Sequence, residues 1–559
     1  MADSRAADCI REQEQLSALR GVSEQHWREI ADRVRPSQAM FQMMQRAEGD
    51  KRNQLIFDAT AQLALSKFAA AVSSMAFPST QKYQKLTIPD DDLSEDPIVM
   101  RYFDEVTERL FKARYAAAGN FQSQSIEMTL DIGAFGTGVL FVDDVIGIGI
   151  RYKSLPLSQC YIAEDAHGRI DTMYRKFQFT AHQAATMFGK DKLPEAIVKA
   201  LEVEPSRKFW FLHCVKPNPD KASRRKDWRG WDYWSCYISV EEGRTIVDEG
   251  GFRTFPFAVP RYETAPYEVY GRGPASQVLP AIKTLNEQKK TVLRAGQMVV
   301  APPIMLSDDG ALQAFDMRPN ALNFGGLDDQ GRPRAMPFTS NGRVDIGKDL
   351  MDGERDTIND AFLVTLFRIL VEEPQITATE AMLRAQEKGQ LLTPTMGRLQ
   401  TEFLGPVTVR EIDILGTAGA LPPMPPKLAK YFAQGGDYHI EYQSPLNLAQ
   451  RASEGIAIMN TLQAIAPLAQ VDPSVMRRFN LDKAATTLAR INGMPEDIIY
   501  TDEEFAALQD AAQNAEQAQQ LLAAAPVAAG AAKDLAQAQS LAGSSPNAQA
   551  PNLGLPTGP

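Results

Sequence analysis

The sequence predicts a mixed α+β chain that is mainly helical. Three features point there. Apolar residues recur at helical spacing up to about residue 135, strand-like alternation takes over between 138 and 263, and long amphipathic helices return between 274 and 418. A chain of 559 residues exceeds what one ordinary core supports, so three or four structural units are expected.

Residues 7–34 place Ile10, Leu16, Leu19, Trp27, Ile30 and Val34 on a helical repeat that Pro36 ends. A second helix is expected over roughly 52–76, from Leu55, Ile56, Ala59, Leu63, Leu65, Phe68 and Val72, stopping near Pro78. Helices near 96–118 and 121–134 follow. The segments GVLFVDD (138–144), IGIRYKSL (148–155), CYIAED (160–165) and RIDTMYRKFQF (169–179) then read as strands, with His167-Gly168 as a hairpin turn. A helix near 181–203 precedes strands at 207–216, 231–240 and 244–248, the last pair joined by Glu242-Gly243. FPFAVPRYE (255–263) closes this region.

A long helix is expected from 274 to about 299, carrying Val278, Leu279, Ile282, Leu285, Val292, Leu293 and Val299. Residues 301–343 are rich in proline, glycine and aspartate and read as a compact α/β insert or a set of ordered loops. The next helix, 346–371, lines up Ile346, Leu350, Ile358, Phe362, Leu366 and Leu370 as one buried stripe. EEPQIT (372–377) breaks it at Pro374. A third long helix runs from Thr379 to about 400 and continues near 406–417, with Thr377, Thr379 and Glu380 suited to its start. LPPMPPKL (421–428) is a turn or linker, 427–510 a smaller helical unit, and 515–541 a weak Ala/Gln helix before a disordered end.

Composition narrows the function classes. With 44% hydrophobic and 23% charged residues the chain is of globular type, and a net charge of −11 argues against coating DNA electrostatically. A mixed or acidic surface still suits a protein past which DNA must slide, since strong attraction would retard movement. Cys9, Cys160, Cys214 and Cys236 are scattered without a CxxC pair, which reads as reduced thiols. The segment MADSRAADCIREQEQL has no apolar run of signal-peptide type, and no apolar stretch is long enough to span a bilayer. A protein made in a reducing cytoplasm is expected.

No motif carries catalytic chemistry. GIGIRYKS (147–154) ends in Lys153-Ser154 as a phosphate loop would, but Tyr152 replaces the second glycine and the segment reads as a strand. GRGPAS (271–276) is glycine-rich before a helix, yet it lacks the third small residue of a dinucleotide fingerprint. Pro274 instead suits a first helical turn. His26, His167, His182, His213 and His439 form no metal-binding spacing, and His213-Cys214 reads as strand. Asp143-Asp144, Asp308-Asp309 and Asp328-Asp329 fit solvated turns better than a Mg²⁺ site, and no GxSxG elbow is present. No catalytic residue, metal or cofactor is therefore expected. The long helices are more informative: the first bears Lys283, Lys289, Lys290 and Arg294, the second Asp349, Asp352, Glu354 and Asp356. Charge alone leaves two readings open, a solvated hairpin or a stem packed between subunits around a channel.

The ordered set of segments resembles the portal (head-to-tail connector) proteins of short-tailed bacteriophages. The resemblance is carried by Trp27…Pro36, KRNQLIFDATAQLALSKFAAAVSSMAFPS (51–79), NFQSQSIEMTLDIGAFGTGVLFVDD (120–144) and AEDAHGRIDTMYRKFQFTAHQ (163–183). PFAVPRYETAPYEVYGRGPASQVLPAIKTLNEQ (256–288), VAPPIMLSDDG (300–310) and ITATEAMLRAQEKGQLLTP (376–394) extend it over about 20–420. It implies a dodecameric ring with a central channel for double-stranded DNA, at one capsid vertex of the virion, assembled in the host cytoplasm. Residues 1–273 would be the wing, 274–299 and 346–371 the stem helices, and 300–345 the clip. Residues 372–377 would be the tunnel loop, 378–418 the long wing helix, 427–510 the crown, and 511–559 an Ala/Gln-rich helix and disordered tail.

The implied partners are the terminase large subunit, major capsid and scaffolding proteins, and tail adaptors, with no membrane. Candidate channel residues are Lys283, Lys289, Lys290, Arg294, Glu372, Glu373 and Gln375. Candidate clip contacts are Asp308, Asp309, Asp316, Arg318, Asp328, Asp329, Arg332 and Arg334. Gly271, Gly273 and Pro274 would form a flexible joint between wing and stem. The alternatives are another head–tail adaptor or capsid protein, generally shorter and without the helix–insert–helix series at 274–418, and a Mg²⁺ nuclease or packaging ATPase. Loss of nuclease or ATPase turnover on Asp143→Ala or Lys153→Ala would reveal the latter.

Overall fold

The computed structural model describes residues 2–38, 40–41, 52–94, 96–145, 147, 149–222, 225, 227–240, 244–300, 304–306, 327, 330–333, 335–337, 344–371, 395–442, 455–465, 480–491, 494, 498, 500 and 504–513. The first elements are α1 (Ala2–Ala31), α2 (Thr60–Ala76), β1 (Gln84–Thr87), the single turn α3 (Asp91–Ser94), α4 (Pro97–Arg114) and α5 (Phe121–Phe135). Alternation then yields β2 (Leu140–Val145), β3 (Gly149–Ser154), β4 (Cys160–Glu164) and β5 (Ile170–Thr180). Helices α6 (Ala181–Phe188) and α7 (Glu195–Val203) precede β6 (Lys208–Pro217), β7 (Tyr233–Ser239), β8 (Ile246–Phe252) and the short β9 (Phe257–Ala258).

Two antiparallel sheets result. One has the order β3-β2-β9; the other is a five-stranded meander, β4-β5-β6-β7-β8. The meander is covered on both faces, which explains the nearly unbroken apolar run of KFWFLHCV in β6. Leu212 and Cys214 face the first turns of α1, where Ala6, Cys9 and Ile10 are buried. Phe209 and Phe211 face α6 and α7 through Phe188 and Ile197. The hairpin at His167-Gly168 forms as expected, with Gly168 at φ 78° and its N–H donating to Asp165 O. The turn at Glu242-Gly243 lies outside the described residues.

The later elements are α8 (Pro274–Gln277), α9 (Leu279–Val300), β10 (Ile304–Leu306), β11 (Ala335–Pro337), α10 (Val344–Ala361), α11 (Val364–Val371) and α12 (Gly405–Thr417). Within the insert, β10 and β11 pair antiparallel. The largest core joins these helices to the N-terminal ones: Leu279, Ile282, Leu285, Ile358 and Phe362 pack with Phe68, Phe135 and Phe403. One core therefore spans both stretches of the chain. The chain divides into two compact units, one of residues 1–94 and 102–454, the other of 95–101 and 455–559, where three or four were expected. In the second unit, Arg101 pairs with Glu504 at 3.0 Å. Among the described residues no helix is long and apolar enough to cross a membrane.

Several expected boundaries move for local reasons. The helix expected from 52 starts at Thr60, where Asp58 Oδ1, one residue ahead of the N-cap Ala59, accepts the Thr60 N–H (3.0 Å) and hydroxyl and fixes the turn into the helix. The helix expected at 181–203 is two, separated by Gly189 at φ 83° and Pro194. The helix expected from 274 is also two, since Pro280 has no N–H to return to Ser276 and its ring crowds that carbonyl. The stripe expected over 346–371 is interrupted at Leu363, φ 59°, and Leu350 is exposed while Met351 is buried. The helix expected to 400 widens into a π turn over Gln400–Leu404 before α12, where Pro406 cannot supply the regular bond. The boundary expected at 427 falls near 454, because His439–Tyr442 pairs with β1. Residues 378–394 and those beyond 513 lie outside the described residues.

Candidate functional site

The junction between the sheets and the long helices is built from glycines. Gly136 caps α5 in the left-handed conformation, φ 82°. Directly against it cross Gly271 and Gly273: a Cβ on Gly271 would sit 2.3 Å from Gly136 O, and one on Gly273 2.6 Å from Ile132 O. The crossing is hydrogen-bonded as well. Gly271 N–H donates to Thr137 Oγ1 (2.8 Å), Tyr262 N–H to Gly136 O (2.9 Å) and Arg272 N–H to Glu263 O (2.7 Å). Gly273 then caps α8, whose first turn holds Pro274. The expectation of a flexible turn is therefore corrected. Both glycines are required by close backbone approach, and the joint is clamped.

Above the joint, α9 and α10 run antiparallel. Val292 meets Gly347. One end lower, Asn286 and Arg355 both grip the turn before α2. Asn286 Oδ1 accepts from Phe57 N–H (2.8 Å) and Asp58 N–H (3.2 Å), and Arg355 donates to Asp58 Oδ2 (2.6 Å). Burial pushes the Asp58 carboxyl up, but Thr60 and Arg355 outweigh it and hold it below its usual range. Asn286 is a positioning residue that sequence reasoning missed; a lone asparagine inside an apolar stripe is its only signal.

The four expected channel cations are not equivalent. At helical spacing Lys283, Lys290 and Arg294 share one face of α9 with Glu287, whereas Lys289 lies in line with Ile282 and Leu285. Lys283 pairs with Glu29 of α1. Lys290 pairs with Glu287 (3.2 Å) and sits over the Phe57 ring. Among the described residues Lys289 and Arg294 have no ion-pair partner. Glu372, Glu373, Gln375, Asp308, Asp309, Asp316, Arg318, Asp328, Asp329 and Arg334 lie outside the described residues; Arg332 is described and exposed.

Where α4, β3 and α12 meet, a fully buried ion pair fixes the core. Arg114 contacts Glu411 at 2.6 Å, and both side chains are 0% exposed. Tyr152 donates its hydroxyl to Glu411, while Arg114 donates to Tyr83 Oη (2.6 Å) and Thr408 Oγ1 (2.9 Å). Every charged atom is thus bonded, which is the condition for tolerating such burial. Burial, followed by the Glu411 charge, raises the Tyr152 hydroxyl well above its ordinary range, so it remains a donor.

The discounted motifs stay discounted by geometry. Lys153 lies in β3, in register with Phe141 of β2, so no loop there can cradle phosphate. His213 is buried in β6, bonded to Ser235 Oγ (3.0 Å) and stacked on Tyr237. Burial lowers its pKa to about 3, which leaves it neutral.

One constellation escaped the sequence altogether. Cys214 and Cys236 are directly opposed on β6 and β7, and Cys9 of α1 lies above them. The three sulfur atoms lie within 4.8 Å of one another, with Cys9 Sγ 3.8 Å from Cys214 Sγ. All three are free and buried. Hydrogen bonds from Cys214 and Cys236 lower Cys9 to about 4, while burial raises Cys214. Cys9 lies 205 residues from Cys214, and Cys214 meets Cys236 only across the β6–β7 pairing, so no local motif search finds the cluster.

Comparison with known proteins identifies the family. Residues 6–499 match the family described as bacteriophage head to tail connecting protein. The chain is similar to the probable portal protein of Bordetella phage BPP-1, 28% identical over 503 residues that cover 89% of each chain. It is also similar to the portal protein of Salmonella phage epsilon15, 26% identical over 546 residues, covering 96% of this chain and 97% of the other. A family match spanning the sheets, the joint, both long helices and α12 means that the chain belongs to the bacteriophage head-to-tail connecting proteins, the portal proteins of tailed phages.

Proposed function

We propose that the chain assembles into a dodecameric ring around a channel for double-stranded DNA at one capsid vertex. In this reading α8–α9 and α10–α11 form the stem, the insert between them the clip, and residues 372–377 the tunnel loop. Residues 1–273 form the wing with 378–418 as its long helix, and a crown follows. The clip contacts the terminase large subunit during packaging and tail adaptors afterwards. The ring nucleates head assembly with major capsid and scaffolding proteins, and ATP hydrolysis belongs to the terminase.

The observation that carries the proposal is apolar surface on the outer stem. Val300 is 86% exposed, Val299 64% and Leu350 57%, and Leu293 and Met298 are about half exposed. Large apolar side chains gathered in the open at one end of a helix pair suit a subunit contact. A heterologous contact that closes into a ring covers them on every subunit. Along the channel, twelve copies of Glu372 and Glu373 repel phosphate, and Arg294 with the weakly held Lys283 and Lys290 on the same face of α9 attracts it. Exposed pairs such as Lys283–Glu29 hold only about 0–1 kcal/mol, so they yield to DNA.

Negative-stain images of the purified chain test the ring directly. Twelvefold particles with a central hole are expected, and monomers or dimers at every concentration would sink the proposal. Loop charge is tested separately: Glu372→Lys with Glu373→Lys should impair packaging or DNA retention, and unaltered behaviour in both would discard that part.

A further inference from the structure

We propose that Cys9, Cys214 and Cys236 form a binding site for one Zn²⁺ per chain, pinning the first turns of α1 to the five-stranded sheet. The geometry favours a metal over three idle thiols. Zn–S bonds of about 2.3 Å in a tetrahedral site place two sulfurs about 3.8 Å apart. Cys9 Sγ and Cys214 Sγ stand at 3.8 Å, and the third sulfur is within 4.8 Å of both. All three ligands are buried sulfur atoms, a soft donor set that favours Zn²⁺ over Mg²⁺ or Ca²⁺.

The surroundings suit the charge. Three thiolates and Zn²⁺ leave one net negative charge, and Lys216, held at 2.8 Å by Glu12, is the adjoining cation. A cavity of about 460 Å³ lined by Cys9, Glu12, Lys216, Trp228, Trp234 and Glu249 reaches the cluster at Cys9 and leaves room for entry and a fourth ligand. The sheet supplies two ligands in register, Cys214 opposite Cys236, so only α1 has to be positioned. Cys160 is a built-in control. It is buried without these neighbours, and burial pushes its thiol up to about 12.

The untagged full-length chain, purified without chelator, is measured for metal by mass spectrometry. About one zinc per chain is expected. The zinc content should fall at least about tenfold in Cys9→Ser, Cys214→Ser and Cys236→Ser and persist in Cys160→Ser. Because a serine variant can fail to fold, the wild-type chain is also stripped of metal and titrated with Co²⁺. A thiolate-to-cobalt charge-transfer band and intense tetrahedral d–d bands should appear and saturate at one equivalent, then vanish on adding Zn²⁺. Substoichiometric metal with no cobalt spectrum, copper in place of zinc, equal loss from Cys160→Ser, or a Cys9–Cys214 disulfide in the reduced preparation would each overturn the assignment.

Discussion

At the residue scale, glycine is used in this chain for two opposite reasons, and substitution separates them. A methyl on Gly273 would press on three backbone atoms at once: Ile132 O, Gly136 N and Gly133 O, at 2.6, 2.8 and 3.0 Å. Backbone on both sides cannot yield as a side-chain tip can. Gly273→Ala should therefore cost at least the ~1–3 kcal/mol typical of overpacking and reduce ring yield, measured by chemical denaturation and sedimentation. Gly21, inside α1, has nothing within 4 Å of its would-be Cβ, and Gly21→Ala should stabilise by ~0.5–1 kcal/mol. Equal effects of the two changes would contradict the clamped joint. Asp58 gives the pH-dependent counterpart. Its side chain is 8% exposed and its pKa lies below the ordinary 3.8, so its contribution is complete above about pH 4 and lost as pH falls through the folded value. Asp58→Asn should cost about 1.5–3 kcal/mol at neutral pH and shrink the wild-type's loss of stability as pH falls below about 4. Denaturation midpoints across that range check it, and parallel curves for the two proteins would reject it.

At the element scale, the packing of α12 against α4 and β3 depends on one ion pair with no solvent to compensate for it. Removing either partner strands the other charge in the core, so Arg114→Ala and Glu411→Ala should each destabilise by about 3–5 kcal/mol. The double change Arg114→Met with Glu411→Leu removes both charges and should cost less than either single change. If urea midpoints show the double variant as the sum of the singles, the pair is not acting as a unit. Elements of this kind were only partly legible beforehand. Most strands between 138 and 263 were, because apolar patterning and turn residues are local; β1 and its partner His439–Tyr442 were not, since their pairing joins distant parts of the chain. Helix limits at Pro194, Pro280 and Pro406 follow from chemistry visible in the chain. The start of α2 was not, since the turn before it is held by Asn286, more than two hundred residues away. The break at Leu363 carries no glycine or proline; it lets Phe362 and Val364 both reach the core, where Phe362 meets Phe68 edge-on. The glycine joint was visible as GRGP, but its partner Gly136 was not, and without that partner closeness looks like flexibility. The cysteines were hidden for the same reason: topology, not spacing, brings them together.

At the scale of the whole molecule, a net charge of −11 and the exposed apolar side chains of α9 and α10 pull in different directions, and the proposed ring reconciles them by closing subunits on one another. Self-repulsion limits unspecific contact, while in the proposed ring these side chains supply a local attraction strong enough to overcome it. The outer half of α9 is the place where the balance is set. Val299 and Val300 end this helix beside the insert, exposed on the single chain, and neither belongs to the core that holds the inner half through Ile282 and Leu285. Changing both to glutamate leaves that core untouched but adds two negative charges per subunit where neighbours must meet. Ring formation should fall sharply, with sedimentation velocity shifting from a large closed species to single chains, while circular dichroism and the urea midpoint of the single chain stay close to wild type. Higher salt should partly restore assembly of this variant, because screening weakens the added repulsion. A ring that forms as readily with both glutamates in place would show that the outer stem is not the subunit contact, and would move the interface to the wing.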